Sequence, residues 1–151
     1  MTHYKRIMGT LLVLLCMHAA GWAKAPKYVF YFIGDGMGLN QVMSTQYYLK
    51  QCEGELGITP LGFAQFPYTG IATSYSGSSD VTDSAAGGTA LATGHKTGNG
   101  VIGMLTDKQT PAISIAQMAH DYGARVGVTT SVTINHATPA SFYAHQKSRN
   151  D

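Results

Sequence analysis

Asp83 and Ser84 stand near the head of "VTDSAAGGTALATG" (residues 81–94), an acid and a hydroxyl followed by almost nothing but Ala, Gly and Thr. Side chains this small leave the backbone accessible, and Ser84 falls where a polar run turns helix-like. A serine at a helix N-terminus is in most proteins a simple cap. The same geometry also offers it free backbone N–H groups and the positive end of the helix dipole, where phosphate binds. A serine hydroxyl is a weak nucleophile until it is activated. No histidine lies close by in sequence to act as its base, and the pattern around it is not G-x-S-x-G. A metal ion would serve instead, binding the oxygen and polarising a phosphoryl group.

Asp35 sits between Gly34 and Gly36, at the expected carboxyl end of the first strand. Ligands of open α/β sheets collect beyond strand carboxyl ends, although an ordinary Gly-Asp-Gly turn fits the residues equally well. His136, Thr138 and His145 follow a later expected strand. His3 and His18 lie in the first 25 residues, and the other four histidines lack the tight spacing of a zinc site. Arg149 reads either as a solvated residue or as the bidentate partner of a phosphate.

The elements that must position these groups alternate between α and β. "YVFYFI" (28–33) is apolar at every position, as in a strand buried on both faces of a parallel sheet. From Gly38 to about Lys50, Leu39, Val42, Met43 and Tyr47 lie at helical spacing, which predicts an amphipathic helix with its Met and Tyr stripe in the core. A short strand is expected over 69–74, a turn at "YSGSSD", and a helix over 84–93 stopped by Gly94. Gly87 and Gly88 would weaken that helix by roughly 1 kcal/mol each relative to Ala, so close approach of a neighbour is expected there. Thr110-Pro111 predicts a capped helix start, Tyr122-Gly123 its stop, 125–130 a strand and Thr138-Pro139 a further helix start.

Residues 1–25 carry Lys5 and Arg6, an apolar run from Ile7 to Met17 and an Ala23-Lys24-Ala25 end. This is the pattern of a secretory signal peptide, and the run is shorter than the ~20 residues a membrane span needs. Leu15 before Cys16 is too large for a lipoprotein signal. The expected product is therefore exported, periplasmic or secreted, with no membrane span once the signal is removed. Loss of Lys5, Arg6 and Lys24 leaves 7 basic and 8 acidic residues, a net charge of −1. No basic cluster remains to track nucleic acid. Cys52 is then the sole cysteine, which excludes an internal disulfide.

Three segments together, "FIGDGMG" (32–38), "VTDSAAGGTALATGHKT" (81–97) and "HATPASFYAHQKSR" (136–149), resemble alkaline phosphatase in that order and at sensible intervals. The resemblance implies an α/β fold, a mostly parallel sheet with helices on both faces that is incomplete in this chain. It implies hydrolysis of phosphate monoesters through a phosphoserine, with two Zn2+ and one Mg2+ per site. By the resemblance Ser84 is the nucleophile and a metal ligand, and Asp35 bridges a zinc and the magnesium. Thr138 supplies a hydroxyl to magnesium, Arg149 clamps phosphate with Asp83 holding it, and His136 stands behind the third metal. The small phosphomonoester is the implied partner, and a homodimer is compatible with the family.

The family's remaining zinc and magnesium ligands fall further along than these 151 residues. The expectation is accordingly the N-terminal part of a catalytic domain (26–151), active as part of the parent protein. Two alternatives stand beside it: an inactive fragment lacking most metal ligands, or a related sulfatase or phosphodiesterase. The last is disfavoured because Ala85, Ala86 and Gly87 follow Ser84 without the Pro and Arg of a sulfatase.

Overall fold

The computed structural model describes residues 26–151. The expected signal segment, 1–25, lies outside the described residues. Residues 26–33 belong to one compact unit and 34–151 to a second. In the first, Phe30 and Phe32 stack with ring centroids 6.5 Å apart, and Lys27 Nζ sits 5.2 Å from the centre of the Tyr28 ring.

The second unit contains four α-helices: α1 (Leu39–Cys52), α2 (Ser84–Thr93), α3 (Ile115–Asp121) and the single turn α4 (Ala137–Ala140), with a 3-10 turn at Gly62–Gln65. Among the described residues β-pairing is confined to two isolated antiparallel bridges, Ile102 with Gln146 and Met104 with Pro111. The segments 28–33, 69–74 and 125–130 carry no regular secondary structure. A strand draws its hydrogen bonds from a neighbouring strand, and no ladder forms here to supply them. Phe32 and Ile71 accordingly stand exposed.

The core is built from small residues. α2 buries Ala85, Ala86, Gly88, Thr89 and Ala92, and packs on α4 through a cluster of Ala85, Ile102, Ala137 and Ala140, with Ala144 alongside. Gly88 explains the short side chains. A Cβ there would lie 2.8 Å from Ser141 Oγ and 3.3 Å from Thr138 Cα, so only glycine lets α4 approach this closely. Gly87 has no such reason, since its Cβ would meet Thr82 at an ordinary 3.5 Å. Thr89, fully buried, accepts from Gly103 N–H at 2.9 Å and donates to the Val101 carbonyl at 3.2 Å, tying the following loop to α2.

Two further expectations are corrected. α3 begins five residues after Thr110, with Ser114 as its cap, accepting from Gln117 N–H at 3.1 Å. Asp107 holds the Thr110 region in a turn instead, accepting from the N–H groups of Gln109 and Thr110, each at 2.9 Å. The apolar stripe of α1 is not core: Leu39, Met43 and Tyr47 are exposed and Gln46 is the buried residue of that helix. The helix-to-helix packing joins α2 to α4 and α3, leaving α1 apart. No helix among the described residues is long and apolar enough to cross a membrane.

Candidate functional site

The site is organised by the start of α2. Asp83 is its cap, with Oδ1 accepting from Ala86 N–H at 2.9 Å, and Gly94 ends the helix in the left-handed conformation at φ 75°. Ser84 is therefore the first helical residue, at the positive end of the helix dipole. Its Oγ donates to Asp35 Oδ1 at 3.2 Å. Thr138, in α4, donates from Oγ1 to the other oxygen of the same carboxylate at 2.8 Å. The tight Gly88 contact between α2 and α4 is what brings Ser84 and Thr138 to one acid.

Asp83 serves a second purpose. Its Oδ2 accepts from Arg149 Nη1 at 3.2 Å and from Gly100 N–H at 3.0 Å. Burial pushes the Asp83 carboxyl up, but the Ala86 N–H, the Arg149 guanidinium and the Gly100 N–H outweigh it and hold the group below its ordinary value. Arg149 is thus anchored by one nitrogen to the residue next to Ser84, and the other donors of its planar fork remain for an anion.

Asp35, Ser84 and Thr138 present carboxylate and hydroxyl oxygens together, the donor set that suits a hard cation such as magnesium. His136, the residue before α4, has a buried Nδ1 without a hydrogen-bond partner, a nitrogen suited to a borderline metal or to a water bound by one. These residues fit the magnesium end of the implied metal site. No group of three or more His, Cys, Asp or Glu side chains capable of holding a metal occurs among the described residues, so a full zinc set is not assembled by them.

All five residues expected at the site besides His136 are therefore joined in two contacts groups, Asp35 with Ser84 and Thr138, and Asp83 with Arg149. His145 is not part of it. Its Nδ1 lies 2.6 Å from the Gly103 carbonyl and fastens a turn. The sequence reading missed Asn99 and Gly100, which grip Asp83 from the loop after α2. Their Asn-Gly pair, a turn signature, was the signal available.

The alkaline phosphatase family profile matches residues 26–151. The chain belongs to the alkaline phosphatase family. It is 38% identical over 134 residues to alkaline phosphatase 4 of Drosophila melanogaster, covering 82% of this chain and 22% of that protein. Its structure resembles the cold-active alkaline phosphatase of the psychrophile Shewanella sp., with a TM-score of 0.71 and 40% identity over 79% of this chain and 30% of that one. A histidine-to-aspartate variant of the TAB5 alkaline phosphatase, with Mg bound in its M3 site, gives a TM-score of 0.68 at 39% identity, covering 77% of this chain and 31% of that one. The alkaline-phosphatase-like fold is thereby shown. The chain spans about a quarter of the length of the curated alkaline phosphatases it matches.

Proposed function

We propose that these residues belong to an exported, metal-dependent phosphate monoester hydrolase that works through a phosphoserine at Ser84. The observation that carries the reading is the position of Ser84, first in α2 with its hydroxyl on Asp35, while the adjacent Asp83 holds Arg149. Family membership supports the phosphatase chemistry, and the Mg-bound TAB5 variant supports a metal cofactor by family. The activity is assigned to the complete protein, with 26–151 as the N-terminal part of its catalytic domain and 1–25 as its signal. In that protein the segments 28–33, 69–74 and 125–130 are read as strands of a mostly parallel sheet covered by helices.

In this reading Arg149 binds two non-bridging phosphate oxygens and sets the phosphorus in front of Ser84 Oγ. The Ser84 proton faces Asp35 Oδ1, its acceptor at 3.2 Å. Oγ gives up its proton to water and attacks phosphorus, the bond to the ester oxygen breaks, and that water passes the proton on to the leaving alkoxide. The N-terminus of α2 faces the added negative charge on the phosphoserine. Water then attacks the same phosphorus, releasing inorganic phosphate and restoring the Ser84 hydroxyl. Asp35, Thr138 and Ser84 would hold metal, with His136 behind it. When bound, two Zn2+ and one Mg2+ would lower the hydroxyl pKa and neutralise phosphoryl charge. A homodimer is part of the proposal through the family alone.

The full-length protein should turn over a small aryl phosphate monoester far faster than the matching diester or sulfate. A preference for either of the others would replace this reading with a phosphodiesterase or sulfatase.

A further inference from the structure

Asn99 spends both bonds of its carboxamide on the segment that leads into Ser84. Its Oδ1 accepts from Asp83 N–H at 3.3 Å, and its Nδ2 donates to the Val81 carbonyl at 3.0 Å. A single orientation of the amide serves, because the oxygen must face the N–H and the nitrogen the carbonyl. The turn holding Asn99 is itself fixed. Asn99 N–H donates to Ser78 Oγ at 2.9 Å, Ser78 N–H donates to the buried Ser76 Oγ at 3.2 Å, and Gly77 N–H donates to the Thr97 carbonyl at 2.7 Å. The next residue, Gly100, takes φ 81°, a conformation that glycine adopts without the usual Cβ clash, and aims its N–H at Asp83 Oδ2.

One turn therefore grips Asp83 at its backbone and at its carboxylate. We infer that Asn99 is a positioning residue for the nucleophile and for the phosphate-binding arginine, acting through Asp83. Asp83 caps α2, holds Arg149 and precedes Ser84 in the chain, so a shift in its backbone moves both reacting partners at once. Asn99 touches neither Ser84 nor Arg149 through any of these bonds. The inference rests on the reading of Ser84 as the phosphorylated residue.

The test is a double-mutant cycle in the full-length protein loaded with Zn2+ and Mg2+, using Asn99→Ala, Asp83→Ala and the pair, with kcat and KM for an aryl phosphate and inhibition by inorganic phosphate as readouts. Asn99→Ala should lower kcat/KM by about 10–100-fold, the size of effect that small misplacements of reacting groups produce. Asp83→Ala keeps the backbone N–H that Asn99 holds but already releases Arg149, so in that background Asn99→Ala should still lower kcat while changing KM and phosphate inhibition by no more than about 3-fold. Asn99→Asp keeps the size of the side chain and its acceptor while losing the donor, so it should also lower kcat/KM even if the alanine variant folds poorly. Equal changes in KM and phosphate inhibition in both backgrounds, or an Asn99→Asp protein with unchanged kinetics, would overturn the inference. A Ser84→Ala protein that still forms a phosphoenzyme would instead overturn the reading beneath it, and the cycle would be unaffected by that result.

Discussion

Asp35 Oδ2 accepts a 2.8 Å hydrogen bond from Thr138 Oγ1, joining residues 103 positions apart. The other oxygen of that carboxylate receives Ser84 Oγ. One glycine-flanked acid thus gathers the start of α2 and the start of α4 at a single point. The packing that permits it is the alanine and glycine seam between the two helices, which accounts for the small residues after Ser84.

Under the proposed metal site, removing the acid should weaken metal binding. In the full-length protein, Asp35→Asn keeps the shape of the side chain and loses its charge. Its affinity for Mg2+ is expected to fall by at least about 10-fold, measured by metal content after graded chelation. Chelator should abolish wild-type activity and added Zn2+ with Mg2+ should restore it. Unchanged metal content in the variant would contradict this role.

Arg149→Lys retains a positive charge but not the planar fork that Asp83 anchors. Loss of a charge-assisted hydrogen bond costs about 1.5–3 kcal/mol, so KM and the inhibition constant for inorganic phosphate should rise about 10–100-fold. A change confined to kcat would argue that Arg149 does not bind ground-state phosphate.

The two glycines of α2 should behave oppositely. Gly88→Ala drives a methyl into Ser141 and Thr138 and is expected to destabilise by about 1–3 kcal/mol. Gly87→Ala has room and should be neutral or stabilising by up to about 1 kcal/mol. Urea midpoints of the full-length variants measure both, and equal effects would refute the close approach of α2 and α4.

Much of this was legible in the sequence, and the pattern of what was not is physical. The bounds of α2 follow from local chemistry, the turn to small helix-forming residues at Ser84 and the glycine stop at Gly94, and the structure reproduces them with Asp83 as the cap. The start of α3 does not, because Thr110 and Ser114 are both good caps and Asp107 decides between them. The periodicity of α1 marks an apolar face without saying what covers it, and Met43 and Tyr47 stand exposed on that face. The contacts of Asp35 with Ser84 and of Asp83 with Arg149 span 49 and 66 residues, and no local spacing predicts them. The family resemblance implies the second of them and sets Asp35 and Ser84 at one metal site, without the bond between them.

The Asp83 carboxyl makes a prediction about acid. Its folded pKa is held below the ordinary 3.8 by Ala86, Arg149 and Gly100 against the opposing effect of burial. A carboxyl depressed in this way adds stability that is fully present above its unfolded pKa and is lost as pH falls through the folded one. Stability of the full-length protein should thus fall as pH drops from about 4 toward 2, and Asp83→Asn should flatten that limb. A wild-type slope in the variant would show that Asp83 does not contribute.

The proposed mechanism places the phosphoryl group on Ser84. The direct measurement is acid quenching of the full-length, metal-loaded protein with labelled phosphate, followed by digestion and identification of the labelled peptide. Label is expected on Ser84 in wild type and absent from Ser84→Ala, whose turnover should fall by at least about a thousandfold. Label retained by Ser84→Ala, or found on another residue in wild type, would rule out Ser84 as the nucleophile.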